Sequence, residues 1–128
     1  MKNINNYITE KFKLSSKNIG HTYNYHPKNR DELKKLVDKL IKERGIDANL
    51  NDIDTLEITD MSFLFVDSEF NGDISQWDVS NVEDMRYMFD SSKFNGDIND
   101  WNVKNVKYMR DIFFNCPLEK NPPKWYKK

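Results

Sequence analysis

At 128 residues, 38% of them hydrophobic, the chain is long enough to bury one small core and too short for two. The net charge of −1 is unevenly spread: residues 1 to 30 carry +5, residues 31 to 108 carry −9 and residues 109 to 128 carry +3, and the acidic body excludes a phosphate-binding surface there, so no nucleic acid partner is expected. Cys116 is the single cysteine, which excludes an intrachain disulfide framework and a cysteine-based zinc site, and no apolar run reaches the length of a membrane span or of an export signal's core. A soluble, unexported, cytoplasmic monomer is therefore expected, and a surface location would require a signal outside this sequence.

Residues 1–28 read as an N-terminal arm and linker. Ile4, Tyr7, Ile8 and Phe12 are spaced for one face of a short helix kept basic by Lys2, Lys11 and Lys13. A helix of about a dozen residues is barely stable alone, so this face must dock, either on the acidic body or on a partner. His21 and His26 follow in the stretch HTYNYHP, with no further ligand-type residues at metal spacing and no nucleophile beside them.

Residues 29–60 read as a capping helix and a degenerate first repeat. Asn29 and Glu32 have the spacing of a capping box, Leu33, Leu36, Val37, Leu40 and Ile41 give an apolar face, and Gly45 marks the stop. The segment DANLNDIDTLEI starts like a calcium loop with Asp47, Asn49 and Asn51. It then fails, with Asp52 where glycine is needed and Ile58 where a bidentate glutamate is needed.

Residues 61–108 hold two regular repeats: residues 61 to 84 and 85 to 108 match at 12 of 24 positions without a gap. Met61, Met85 and Met109 share one column, Phe65, Phe89 and Phe113 another, and Trp77, Trp101 and Trp125 a third. Residues 109–128 therefore read as a half repeat plus a cap, with Pro122 and Pro123 closing the ladder. Twenty-four residues before Phe70, Ile74, Trp77 and Val82 stand Ile46, Leu50, Ile53 and Ile58, all apolar.

Within each unit Val82, Met85, Met88 and Phe89 recur at helical spacing, and Ser80 with Glu83 has capping-box spacing. Ile74, Trp77 and Val79 read as a strand after an Asn71–Gly72 turn that positive φ would serve. The expected fold is an α/β solenoid: a short capped leucine-rich-repeat-like stack of 24-residue strand plus helix units with an N-terminal helical arm. The Met and Phe columns are expected to be core. The Trp column is expected to pack rather than form an exposed aromatic ladder.

No cofactor or catalytic arrangement is expected. Cys116 has no basic partner in sequence and shares the column of Ser68 and Ser92, while Asp73 and Asp97 recur at a corner where polar residues satisfy backbone groups of the next rung. Function should lie in outward columns that vary between rungs. The first choice is Gln76, Asp78 and Ser80 against Asp100, Asn102 and Lys104; a second set compares Ser62, Phe63 and Val66 with Arg86, Tyr87 and Asp90 and with Arg110, Asp111 and Phe114, and Glu83 against Lys107 changes sign.

The pattern FNGDI..WDVSNV.DM..MF resembles the BspA-like surface-protein repeat, also called the mycoplasma-type lipoprotein repeat, over residues 61 to 108 with degenerate flanking copies. The resemblance implies a leucine-rich-repeat-like solenoid that binds other macromolecules, often as an adhesin. The leader INNYITEKFKLS followed by YNYHPKNRDELKKLVDKLI resembles the front of small repeat proteins of gut bacteriophages. The expected function is a non-catalytic protein–protein interaction module, phage-encoded and acting on a host or phage partner. The alternatives are a virion or cargo component recruited through the arm and a cell-surface adhesin fragment.

Overall fold

The structure, a computed structural model, describes residues 22–127. The arm residues Ile4, Tyr7, Ile8 and Phe12 lie outside the described residues.

Helix α1 spans Arg30–Arg44. Asn29 in extended conformation accepts the Glu32 N–H on its side chain at 3.0 Å, and Glu32 reaches back to the Lys28 N–H at 3.0 Å rather than to the cap residue itself. Asp31 and Glu32 sit in the first turn and Lys42 and Arg44 in the last, each favourable against the helix dipole. Gly45, at φ 101°, ends the helix with its N–H on Ile41 O at 2.7 Å. Leu33, Val37 and Leu40 are fully buried and join the core of the repeats, and Arg30 Nε donates to Ser62 O at 2.5 Å.

The expected α/β solenoid of strand plus helix units does not form. Among the described residues α1 is the sole α-helix, there is no sheet, and strand-like pairing is confined to isolated parallel bridges such as Asn49–Asp73, Asp60–Asp84 and Asp84–Tyr108. The unit is a chain of turns in place of a helix and a strand, so the leucine-rich-repeat description is set aside as well.

The physical reason on the helix side is the sign of φ. Phe63, Asp67, Tyr87, Ser91, Asp111 and Asn115 all have φ between 51° and 59°, so each helical run is interrupted after a few residues. What remains is a series of three-residue turns, with Leu64 N on Met61 O, Val66 N on Phe63 O and Ser68 N on Phe65 O. The alternate N–H groups leave the unit altogether. Met61, Phe63, Phe65 and Asp67 donate to Asp84, Arg86, Met88 and Asp90, at 2.8 to 3.0 Å, and Met85, Tyr87, Phe89 and Ser91 repeat the set on Tyr108, Arg110, Ile112 and Phe114. The capping box expected of Ser80 and Glu83 is absent, because Ser80 instead bonds through its N–H and hydroxyl to Asp78 Oδ1.

On the tryptophan side short side chains break any extended run. Asp73, Asp78, Asp97 and Asn102 each accept the N–H two residues on, at 2.9 to 3.2 Å, so the chain turns after every few residues. Asp73 and Asp97 hold N–H groups of their own rung; the next rung is reached by Thr55, whose hydroxyl donates to Asp78 O at 2.8 Å, and by three asparagines. Asn51 Oδ1 accepts Gln76 N, Asn71 Oδ1 accepts Asn95 N, and Asn99 Oδ1 accepts Lys124 N. Asn71–Gly72 does not use positive φ: Gly72 is needed because a Cβ there would stand 1.9 Å from Ala48 O.

Stacked side chains fill the middle. Phe65, Phe89 and Phe113 lie with ring centroids 5.4 and 5.9 Å apart, and Trp77, Trp101 and Trp125 with centroids 6.5 and 6.4 Å apart, within 7° of parallel. Each indole N–H bonds a carbonyl of the preceding rung, on Leu50, Ile74 and Ile98. Trp77 and Trp101 are buried and Trp125 half-buried, so the column packs as expected. Met61, Met85, Phe65, Phe89 and Phe113 are buried too, but Ile46 departs from its column: it follows the helix stop and is 55% exposed.

The two ends differ. At the first, α1 covers the core and Tyr25 pairs with Ile53, fixed by Asp54 N on Tyr25 O at 2.8 Å. At the second, a 3₁₀ turn at Pro117–Glu119 buries Leu118, and Pro123 and Trp125 close the tryptophan side.

Candidate functional site

The outward positions of the turn side bring together side chains from three rungs. Phe63 and Tyr87 stack with centroids 4.8 Å apart and planes 17° from parallel, and Phe63 remains 44% exposed. Beside them Arg86 forms a two-bond pair with Asp84, Nε to Oδ1 at 3.0 Å and an η nitrogen to Oδ2 at 2.7 Å. The same guanidinium lies 5.1 Å from the centre of the exposed Tyr108 ring, within range of a cation–π contact. That hydrogen bonding from Arg86 holds the Asp84 carboxyl below its usual range. Arg110 continues the Arg86 column, exposed.

Phe63 and Tyr87 occupy the left-handed region, at φ 59° and 58°. A bulky residue there costs roughly 1–3 kcal/mol relative to one that tolerates it. The third rung uses the tolerant type at the equivalent position, Asp111. The two aromatic residues are thus held against a backbone preference, Phe63 exposed and Tyr87 half-buried, and neither belongs to the buried core.

The residues favoured from sequence distribute differently. Gln76, Asp100, Asn102 and Lys104 are exposed, whereas Asp78 is buried at 7% and its Oδ1 takes both the N–H and the hydroxyl of half-buried Ser80. Asp78 and Ser80 are brought together as a turn, with their polar atoms turned on each other. Glu83 and Lys107, which change sign between rungs, approach each other at 3.5 Å. They line an open groove of about 340 Å³ with Leu56, Glu57, Thr59, Asn81 and Asn105, and the two asparagines spend their amide N–H groups on Leu56 O and Ser80 O.

Phe63 and Tyr87 were legible as a varying outward column; their left-handed backbone was not. Tyr108 was missed because it takes the place of Asp60 and Asp84 in its column. Elsewhere the carboxylates hold the backbone: Asp54, Asp60 and Asp84 accept the N–H of Leu56, Ser62 and Arg86. Cys116 is buried against Phe94 O and Ser92 Oγ, and burial pushes its thiol pKa up. His26 Nδ1 lies 3.1 Å from Asp54 Oδ2. No group of three or more His, Cys, Asp or Glu residues suited to a metal occurs among the described residues, nor any helix long and apolar enough to cross a membrane.

A family model described as "Mycoplasma protein of unknown function, DUF285" matches residues 32–127. No curated protein and no solved structure matches the chain. The BspA-like resemblance is finer than this match, which fits it only loosely, and the match supports neither the phage origin nor the intracellular location expected from the sequence.

Proposed function

The chain belongs to the DUF285 family, and on that premise we propose that it is a non-catalytic protein-binding module whose contact face is the turn side around Phe63, Tyr87, Arg86, Tyr108 and Arg110. The observation that carries this reading is the stacked Phe63–Tyr87 pair kept in left-handed backbone on the surface. Exposed aromatic and arginine side chains are the types that concentrate binding energy in protein interfaces. A scaffold that gives up stability to display them follows the usual exchange between stability and activity. The non-catalytic part of the reading rests on the carboxylates, which are committed to backbone N–H groups turn after turn.

The test exploits the backbone. Phe63→Asn and Tyr87→Asn place a residue that tolerates positive φ at both positions. The double variant is expected to melt at or above the parent temperature while losing capture of the partner that the parent retains from a source-cell lysate. A control with Gln76, Asp100 and Asn102 changed to alanine is expected to keep capture. Retained capture by the asparagine variant, or loss in the control alone, moves the contact to the tryptophan side.

A further inference from the structure

Between rungs the N–H groups of Glu83, Lys93 and Lys107 bond back to Thr59 O, Ser68 O and Glu83 O, whereas the alternate N–H groups of the turn side bond forward, and the last row of these forward donors is unanswered. In the first two rungs every second N–H of the turn side donates to a carbonyl 23 residues ahead, so that Met85, Tyr87, Phe89 and Ser91 bond to Tyr108, Arg110, Ile112 and Phe114 at 2.8 to 3.0 Å. The equivalent groups of the third rung are the N–H groups of Met109, Asp111, Phe113 and Asn115. Among the described residues none of these four makes a hydrogen bond. Asp111 and Asn115 share the left-handed φ of their counterparts, 51° and 54°, so the third rung has the conformation of a rung that still has a neighbour. The closing segment 117–127 makes its hydrogen bonds to the tryptophan side, through Lys124 N on Asn99 Oδ1 and Trp125 Nε1 on Ile98 O; on the turn side Trp125 and Tyr126 pack on the buried Phe113 ring, and none of the four N–H groups is bonded.

We infer that this C-terminal edge of the turn side, the N–H row of Met109, Asp111, Phe113 and Asn115, is a second binding site, which takes a peptide segment of a different polypeptide presenting alternate main-chain carbonyls. Its chemistry selects the occupant. The carbonyls of Tyr108, Arg110, Ile112 and Phe114 are already used by the rung before, and those of Met109 and Asp111 by their own turns, so from Tyr108 to Ile112 the edge offers donors alone. Two copies meeting edge to edge would set donors against donors. The row of carbonyls that could answer it in a second copy begins at the first rung, where α1 covers the core and Ser62 O already accepts from Arg30. A second copy thus does not complement the row, and the inferred segment of another polypeptide adds a strand-like row to this unbonded edge as edge-binding peptides do elsewhere. Phe114, 54% exposed, and half-buried Met109 and Tyr126 give it an apolar flank, so the segment carries an apolar side chain beside its carbonyls.

The site is separate from the Phe63–Tyr87 pair, and its test does not depend on that pair. Amide exchange is followed by NMR on the full chain. In the free protein the amides of residues 109, 111, 113 and 115 are expected to exchange roughly 100-fold or more faster than those of 85, 87, 89 and 91, as unpaired groups do beside paired ones. The probe is a synthetic peptide with the sequence of residues 83–92, EDMRYMFDSS, which already presents such carbonyls inside the fold. It is expected to slow the four edge amides at millimolar concentration, whereas a scrambled peptide does not, and Phe114→Asp is expected to weaken the effect while the inner amides stay protected. Edge amides already as slow as the inner ones in the free monomer would overturn the proposal. So would equal slowing by the scrambled peptide, or no slowing by either. Protection that appears only with rising protein concentration, alongside a dimer mass, would overturn it by assigning the edge to a second copy.

Discussion

The two ends of the stack solve one problem to different extents. At the first end a 15-residue helix with both termini capped lays Leu33, Val37 and Leu40 on the core, and Arg30 answers a carbonyl of the first rung. At the second end Leu118, Pro123, Trp125 and Tyr126 shield apolar surface while the N–H row of Met109, Asp111, Phe113 and Asn115 stays unbonded. Covering a core and satisfying its backbone are thus separable. The helix end covers the core and answers one carbonyl, Ser62 O, whereas the proline-rich tail covers apolar surface and answers none of the four N–H groups.

The largest expected effect comes from the phenylalanine column that runs between these ends. Phe65→Ala and Phe89→Ala should each cost about 3–5 kcal/mol in urea unfolding, because both rings are enclosed and stacked. Phe113→Ala, beside the open edge, should cost less, since the site can collapse there. Equal costs at all three positions would break the comparison.

Next come the glycines. Gly72→Ala sets a Cβ against the Ala48 main chain and should cost about 1–3 kcal/mol of overpacking, and Gly96→Ala should cost less because its Cβ meets chiefly the Phe94 ring, 2.6 Å away. The reverse order in thermal melts would show that the first rungs yield more readily than the last.

Asn29→Ala removes the cap of α1 and should cost about 1 kcal/mol, with a larger loss of amide protection at the first end than at the second. An even loss along the stack would mean that the helix does not close its end independently.

The smallest effect concerns Asp52, whose carboxylate takes two bonds from Arg44, each 2.9 Å, and one from Asn24. Hydrogen bonding from Arg44, the largest cause, lowers its pKa. A lowered folded value contributes stability above the unfolded carboxylate range that is lost as pH falls through and below it. For a partly exposed pair the contribution is about 0.2–1 kcal/mol. The stability difference between the parent and Asp52→Asn should therefore be present at neutral pH and vanish under acid conditions; a difference that persists in acid would refute the pairing.

Much of this molecule was legible before its structure. The period and the buried columns of Phe65, Phe70, Ile74 and Trp77 follow from side-chain identity, and the limits of α1 follow from Asn29 and Gly45. The units were misread because Val82, Met85, Met88 and Phe89 at helical spacing fit a succession of three-residue turns as well as a helix. What separates the two is the sign of φ, and Phe63, Tyr87 and Ser91 give no hint of it; Asp67, Asp111 and Asn115 give a weak one. On the opposite side Asp78 looked like an outward polar residue, and its burial depends on Ser80 donating both bonds to it. The outward varying columns were readable, but the stacking of one aromatic on another across rungs depends on a backbone that sequence spacing does not encode.

The three indoles lie nearly parallel, centroid to centroid at 6.4 and 6.5 Å, each tied by its N–H to a carbonyl of the rung before. Chromophores held so close and so aligned share their electronic excitation, so the folded chain carries an optical signature of its own. The aromatic circular dichroism should show a coupled band that belongs to the indoles together. Removing Trp101 alone would separate Trp77 from Trp125 and quench that band even where the rest of the stack survives, which gives a spectroscopic reading of rung-to-rung alignment apart from the reading of unfolding.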